Sequence, residues 1–216
     1  ASETNSIIKG PGRTNVGAGI QSGVRCTISN LYIRDFEIGI KNTKYWNKIY
    51  DCRIYNNTIG IQLIDSYICK IKNNEITFNN IGVLVEREAY ECIIKDNIID
   101  NNNLGLGIYG SSNGLIISDN TIEGNRNYTT NVGCGILLKG LNHSRCKISG
   151  NWFEGNGSTQ DSVDVFLGAG SSVYHADAKT LWDNITNNCV PDDYKSLLSA
   201  GPLSVGAVDL SNNAHI

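Results

Sequence analysis

A unit of fixed spacing recurs between Cys69 and Asn125, and it limits the possible folds more sharply than any other feature of the chain. Cys69-Lys-Ile-Lys-Asn-Asn74-Glu-Ile76 is followed by Cys92-Ile-Ile-Lys-Asp-Asn97-Ile-Ile99 and by Leu115-Ile-Ile-Ser-Asp-Asn120-Thr-Ile122. Each copy has an apolar anchor, then Ile at plus two, Asn at plus five and Ile at plus seven. A second Asn follows at plus ten (Asn79, Asn102, Asn125) and a Gly at plus thirteen (Gly82, Gly105). The starts at 69, 92 and 115 lie 23 residues apart. Self-similarity at such a period signals a solenoid.

Inside the unit the apolar residues alternate. Ile81, Val83 and Val85 do so, as do Leu104, Leu106 and Ile108. Alternation of β-branched residues between Asn and Gly turns reads as strands. The helical spacings of three and four are absent. Three short strands per unit make one coil of an all-β, single-stranded parallel β-helix. Each strand pairs with its counterpart one coil on, at about 4.8 Å.

The chain has 216 residues, enough for one domain with a core. Net charge is −3 and pI about 5.6, which gives no support for a nucleic-acid or anionic-membrane partner. No apolar run of about 18 residues predicts membrane insertion, and the first residues do not read as a signal peptide. Seven cysteines occur, without a CxxC pair. Cys26, Cys69, Cys92 and Cys146 fall at the repeat anchor, so a reduced inward ladder is expected rather than disulfides or a zinc site. His143, His175 and His215 form no pattern, and no phosphate-binding or dinucleotide fingerprint occurs. Neither a metal nor a cofactor is expected.

Coils start at 26, 47, 69, 92, 115 and 146. Six to seven coils of 21–23 residues are expected, with insertions, over a β-helix domain of residues 1–183 whose clear coils run from 26 to 173. Residues 184–216 show no clean repeat and are expected to cap the open end or pack on a partner. Insertions at Arg126–Gly133 and Gly157–Ser162 precede third strands, so both fall at one corner. Insertions confined to one face mark a functional face.

Stacking turns each offset into a column. Outward at plus eight stand Arg34, Tyr55, Thr77, Asp100, Glu123 and Glu154. Outward at plus six stand Tyr32, Arg53, Glu75, Ile98, Thr121 and Trp152. Three carboxylates in one column repel, so one is expected to hold a raised pKa. A protonated acid beside an ionised base is the arrangement of glycoside hydrolysis. Asp100, Glu123 and Glu154 are therefore the candidate catalytic residues. Glu123 or Glu154 would serve as acid and Asp100 as base. Trp152, Arg126, Tyr55, Arg53 and Thr77 are the candidate substrate contacts, with Trp152 a platform for a sugar ring. A second-choice site is the charged turn of Glu86, Arg87 and Glu88 with Asp65. Lys48, Lys70, Lys72, Lys95 and Lys147 lie on the first-strand outward face, which would attract an acidic polysaccharide or simply stay solvated. Ile64, Leu84, Tyr109, Leu137 and Phe166 are expected to form an outward apolar column, read as a subunit interface.

The stretches Ile-Gly-Ile-Lys-Asn-Thr (38–43), Tyr-Asn-Asn-Thr-Ile-Gly-Ile-Gln-Leu (55–63) and Phe-Asn-Asn-Ile-Gly-Val-Leu-Val (78–85) resemble the pectate-lyase-like right-handed parallel β-helix superfamily. Within it the chain looks most like bacteriophage tailspike and depolymerase proteins. The resemblance lies in repeat style over roughly residues 26–173. It includes no catalytic signature, and the calcium site and basic motif of pectate lyases are not seen. It implies a homotrimer on the virion tail, made in the host cytoplasm, that binds and often cleaves a bacterial capsule or O-antigen. The leading expectation is thus an endo-acting glycoside hydrolase. Two alternatives stay open: a non-catalytic adhesive or structural appendage, and a polysaccharide lyase or epimerase.

Overall fold

In the computed structural model the described residues are 6–126, 133–138, 143–144 and 147–156, together with the strands 163–167, 185–186, 189–190 and 214–215. Cys146, the interiors of both insertions and most of 168–216 lie outside them. Every described strand pairs in parallel with the strand one coil away, which makes the chain a parallel β-helix. Sheet I stacks Thr27–Ser29, Lys48–Tyr50, Lys70–Lys72, Ile93–Lys95, Ile116–Ser118 and Lys147–Ser149. Sheet II stacks Leu31–Arg34, Arg53–Tyr55, Glu75–Thr77, Ile98–Asp100, Thr121–Glu123 and Trp152–Glu154. Sheet III runs from Ala18–Ser22 through Ile81–Val85 and Leu104–Ile108 to Val163–Leu167. A fourth, two-residue strand completes the coils that begin at 47, 69, 92 and 115, at Ser66–Tyr67, Ala89–Tyr90, Ser112–Asn113 and His143–Ser144, where three strands per coil were expected. We call this sheet IV.

Five turns begin at 26, 47, 69, 92 and 115, and a sixth is described through its first three strands. The count is slightly below the six to seven expected. The first residues add a partial coil, because Ser6–Lys9 joins sheet II and Ala18–Ser22 joins sheet III. At the other end, Ile185–Thr186 extends sheet I and Cys189–Val190 extends sheet II.

The core follows from stacking identical offsets. Ile49, Ile71, Ile94, Ile117 and Ile148 form one buried row, and Ile54, Ile76, Ile99, Ile122 and Phe153 another. Each such side chain contributes about 1.5–3 kcal/mol on leaving water. Cys52, Cys69 and Cys92 are buried and free. A hydrogen bond shared with Cys69, and then burial, push the Cys92 thiol up.

Polar groups inside the corners are satisfied by two asparagine ladders. Asn74, Asn97, Asn120 and Asn151 form one, and Asn57, Asn79, Asn102, Asn125 and Asn156 the other. In each rung the lower residue donates both its main-chain N–H and its side-chain amide to the Oδ1 above. For Asn97 these distances to Asn120 are 3.0 and 2.9 Å. The same Nδ2 also donates to Ile71 O at 3.0 Å, reaching down one coil. All nine side chains are at most 2 % exposed.

The residue before each ladder position has a positive φ. Asn73, Asp96, Asp119 and Gly150 do so in the first ladder, and Asn56, Phe78, Asn101, Gly124 and Gly155 in the second, with Asn30, Asp51 and Asp35 at the same corners of earlier coils. Left-handed backbone costs an ordinary residue roughly 1–2 kcal/mol, and Gly, Asn and Asp tolerate it best. At the corner from sheet IV to sheet I the same conformation falls on Arg25, Trp46, Ile68, Glu91 and Gly114.

At the start of sheet III the alternation breaks. A Cβ on Gly82 would lie 2.6 Å from Gly105 O and 3.1 Å from Asn102 Nδ2 and Ile99, so position 82 faces the interior. Gly39, Gly60 and Gly105 repeat this close approach. Val83 and Val85 are buried as expected, but Ile81, expected inward, is half-exposed. The outward register also differs from expectation. Leu84 stands beside Gln62 and Gly107, with Leu137 and Phe166 further along, and the side chain of Phe166 lies outside the described residues. Ile64 and Tyr109 sit two residues later, level with Glu86. The five residues therefore do not form one column. Leu84, Leu104 and Tyr109 instead close over Gly107, where an added Cβ would meet all three within 3.4 Å.

Candidate functional site

Sheet II carries the candidate site. The strands that hold it are three residues long, with the middle residue inward, so both end residues lie on the outer face. The register sets Thr77 beside Asp100, Asp100 beside Glu123, and Glu123 beside Glu154. The three carboxylates thus occupy successive coils, about 4.8 Å apart along the axis. Trp152 stands beside Thr121, in the neighbouring column.

The carboxylates differ in environment. Glu123 is flanked on both sides, and its carboxyl is raised above the usual range, first by burial and then by Asp100 and Glu154. Asp100 Oδ2 accepts a hydrogen bond from Asn101 Nδ2 at 2.8 Å. Its buried Oδ1 has no protein partner among the described residues. Glu154 is exposed, and its Oε2 accepts from Trp152 Nε1 at 3.3 Å. That bond fixes the indole next to the acid column.

The raised Glu123 carboxyl bears on stability. A carboxyl whose folded pKa exceeds its unfolded one favours folding below the unfolded pKa, and that contribution is lost as pH rises through the folded pKa. Glu123→Gln should therefore melt at a higher temperature than the parent at pH 7. The two proteins should converge at about pH 4, near the ordinary Glu value. Thermal melts across pH check this.

The remaining candidates divide. Tyr55 and Thr77 lie in the carboxylate column on the two preceding coils. Thr77 is only 2 % exposed, so it lines the face from beneath and is not open to a ligand. Arg53, in the neighbouring column, pairs with Glu75 at 3.0 Å and lies over the Tyr32 ring at 5.5 Å. Arg126 is half-buried at the foot of the first insertion. There Gly133 closes the base of the loop: an added Cβ would lie 2.1 Å from Asn125 O and 2.8 Å from the Arg126 Cα. Ordinary coils cross from sheet II to sheet III in three residues, as at 56–58, 78–80 and 101–103, whereas the last two crossings span 124–133 and 155–162. Both insertions begin at the corner that follows Glu123 and Glu154.

The second-choice residues meet at one corner, but their charges are engaged locally. Arg87 Nη1 pairs with Asp65 at 3.2 Å, Glu88 accepts from Tyr67 Oη at 2.8 Å, and Glu86 accepts from Gln62. Sequence reasoning missed Phe78 and Arg13. Phe78 stacks edge-on against Tyr55 with centroids 5.4 Å apart. Arg13 bonds Asn56, Asn57 O and Asn80 across the sheet II–III corner. The signal for Phe78 was present, as a large apolar residue in a turn column otherwise made of Asn, Asp and Gly. Arg13 had none, because it lies outside the repeat. No cluster of three or more metal-binding side chains occurs among the described residues.

Residues 3–122, more than half of the chain, match the family described as the right handed beta helix region. The chain belongs to this right-handed β-helix family. No curated protein matches the sequence. Among solved structures, an alginate lyase from Paenibacillus sp. str. FPU-7 is similar with a TM-score of 0.56 at 12% identity, covering 100% of this chain and 78% of that one. That likeness is one of fold. QnrB1, a plasmid-mediated fluoroquinolone resistance protein, is matched at 13% identity over 98% of this chain and 90% of that one. Its TM-score of 0.25 falls short of a shared fold.

Proposed function

We propose that the chain is a tailspike-type depolymerase that binds a bacterial surface polysaccharide along sheet II and hydrolyses it. The observation behind this reading is the column Asp100–Glu123–Glu154, with a raised central carboxyl and an indole held beside it. Glu123 keeps its proton and gives it to the departing glycosidic oxygen. Asp100, one coil away, is the ionised partner, oriented by Asn101. Adjacent coils give a carboxyl spacing near the roughly 5–5.5 Å of retaining enzymes. Asp100 therefore acts on the sugar carbon itself, and water releases the sugar in a second step. Trp152 and Tyr55 offer apolar ring faces to the sugars on either side.

The same reading takes the protein as a homotrimer on a virion tail, with sheet III as the contact between copies. The half-buried row Ile38, Ile59, Ile81 and Leu104 and the cluster over Gly107 support that surface. Incubation with capsules and O-antigens from a bacterial panel tests the activity. Release of oligosaccharides with new reducing ends is expected. Products that absorb as unsaturated uronates would instead favour a lyase, the reading to which the fold likeness to an alginate lyase lends weight. Binding without release would leave an adhesive appendage.

A further inference from the structure

The corner between sheets IV and I breaks a rule that the other corners keep. At the two asparagine-ladder corners the left-handed positions hold Asn, Asp or Gly, with Phe78 the one exception among the described residues. At this corner they hold Arg25, Trp46 and Ile68, at φ of 57°, 60° and 56°. The three stack on consecutive coils, since Arg25 N donates to Tyr45 O, Trp46 N to Tyr67 O and Ile68 N to Tyr90 O. Packing does not explain the choice, because Trp46 is 43% exposed and Tyr45 41%. Their rings meet edge to face at 5.1 Å, and the Arg25 guanidinium lies 4.4 Å from the Trp46 centroid. An indole held in an unfavourable backbone conformation and left open to solvent marks a binding surface.

Charge next to it defines what would bind. Lys48, two residues beyond Trp46, is in register with Lys70 on the next coil. Neither has a carboxylate partner among the described residues. By contrast, Lys72 pairs with Asp96 at 3.8 Å and Lys95 with Asp119 at 2.8 Å. Like charges directly opposite on neighbouring strands destabilise a sheet, so Lys48 and Lys70 gain from an anion placed between them. Together with Tyr50 and Lys72 they line a shallow open hollow. The whole chain is acidic at net −3, so this basic patch is a local feature and not a reflection of composition.

We propose that this corner is a binding site for an anionic glycan. Trp46 and Tyr45 stack on a sugar ring, and Lys48 and Lys70 take its carboxylate or sulfate groups. The site is separate from the carboxylates of sheet II, and it can bind whether or not they cleave.

The test is affinity electrophoresis and calorimetry of the full chain with polygalacturonate, dextran sulfate and neutral dextran. At least one anionic polymer should bind, more weakly as salt rises, and neutral dextran should not. The two anionic arms separate carboxylate from sulfate recognition. Trp46→Asn suits the left-handed position, so it should melt no lower than the parent while weakening binding at least tenfold. Lys48→Gln/Lys70→Gln should weaken it likewise. Failure of both anionic polymers to bind, or affinity unchanged within twofold in the Trp46 and Lys variants, would overturn the proposal. So would a fall in solution mass on Trp46→Asn, which would make the patch a contact between copies.

Discussion

Glu123→Gln should cut release of oligosaccharide by about 10²–10⁴-fold, the usual contribution of a positioned general acid, while leaving polysaccharide affinity within a few-fold. The amide keeps the shape and the flanking contacts but cannot supply a proton. The pH profile makes the assignment sharper. In the proposed mechanism Glu123 acts in its protonated form, so the parent's rate should fall as pH rises through its raised value. In the variant the residual rate should lose that alkaline limb. Asp100→Asn should be as damaging through a different step, because it removes the group proposed to attack the sugar carbon. Products should keep their anomeric configuration, as the one-coil spacing requires. Full activity in Glu123→Gln would move the chemistry off sheet II altogether.

Asn102→Ala should destabilise the protein by about 3–5 kcal/mol, a large share of the roughly 5–15 kcal/mol that folded domains possess. Asn102 Oδ1 accepts Asn79 N at 2.9 Å and Asn79 Nδ2 at 3.0 Å, and Asn102 Nδ2 donates to Ile76 O at 2.9 Å. Removing the amide leaves the Asn79 N–H buried and unpaired, at about 1–3 kcal/mol, and takes one donor from the Ile76 carbonyl and one acceptor from the Asn79 amide, at about 0.5–1.5 kcal/mol each, with a small cavity added. Repeat arrays are coupled mainly to nearest neighbours. Denaturant unfolding of the variant should therefore split, with the coils on either side of the lesion melting separately. A single transition at the parental midpoint would show that the ladder contributes nothing.

The solenoid was legible because its offsets are identical over three copies, and identical offsets must stack. The same logic placed Asp100, Glu123 and Glu154 in one column. It failed where structure is not written in alternation. The fourth strand is two residues long, too short for a period to show, as at Ala89–Tyr90. The sheet III column was misread because Ile64 and Tyr109 were matched to Leu84 by apolarity although their offsets from the anchor differ by two. A shift of two keeps the face but changes the level. Gly82 hid a bend, since a residue without a side chain leaves no mark on a hydrophobic pattern while turning two successive positions inward. At the site, the burial of Thr77 and the flanking of Glu123 depend on neighbours across coils, which no single strand encodes.

One consequence of the matched corners concerns how such a molecule can change size. If residues 69–91 were excised in one piece, the coil beginning at Asn47 would meet the one beginning at Cys92 with every row intact: Ile49 on Ile94, Ile54 on Ile99, Asn57 on Asn102 and Gly60 on Gly105. Length here is quantised. The chain can be shortened or extended by whole storeys while its interior stays in register, whereas a single residue gained or lost inside a strand turns that strand's inward row outward.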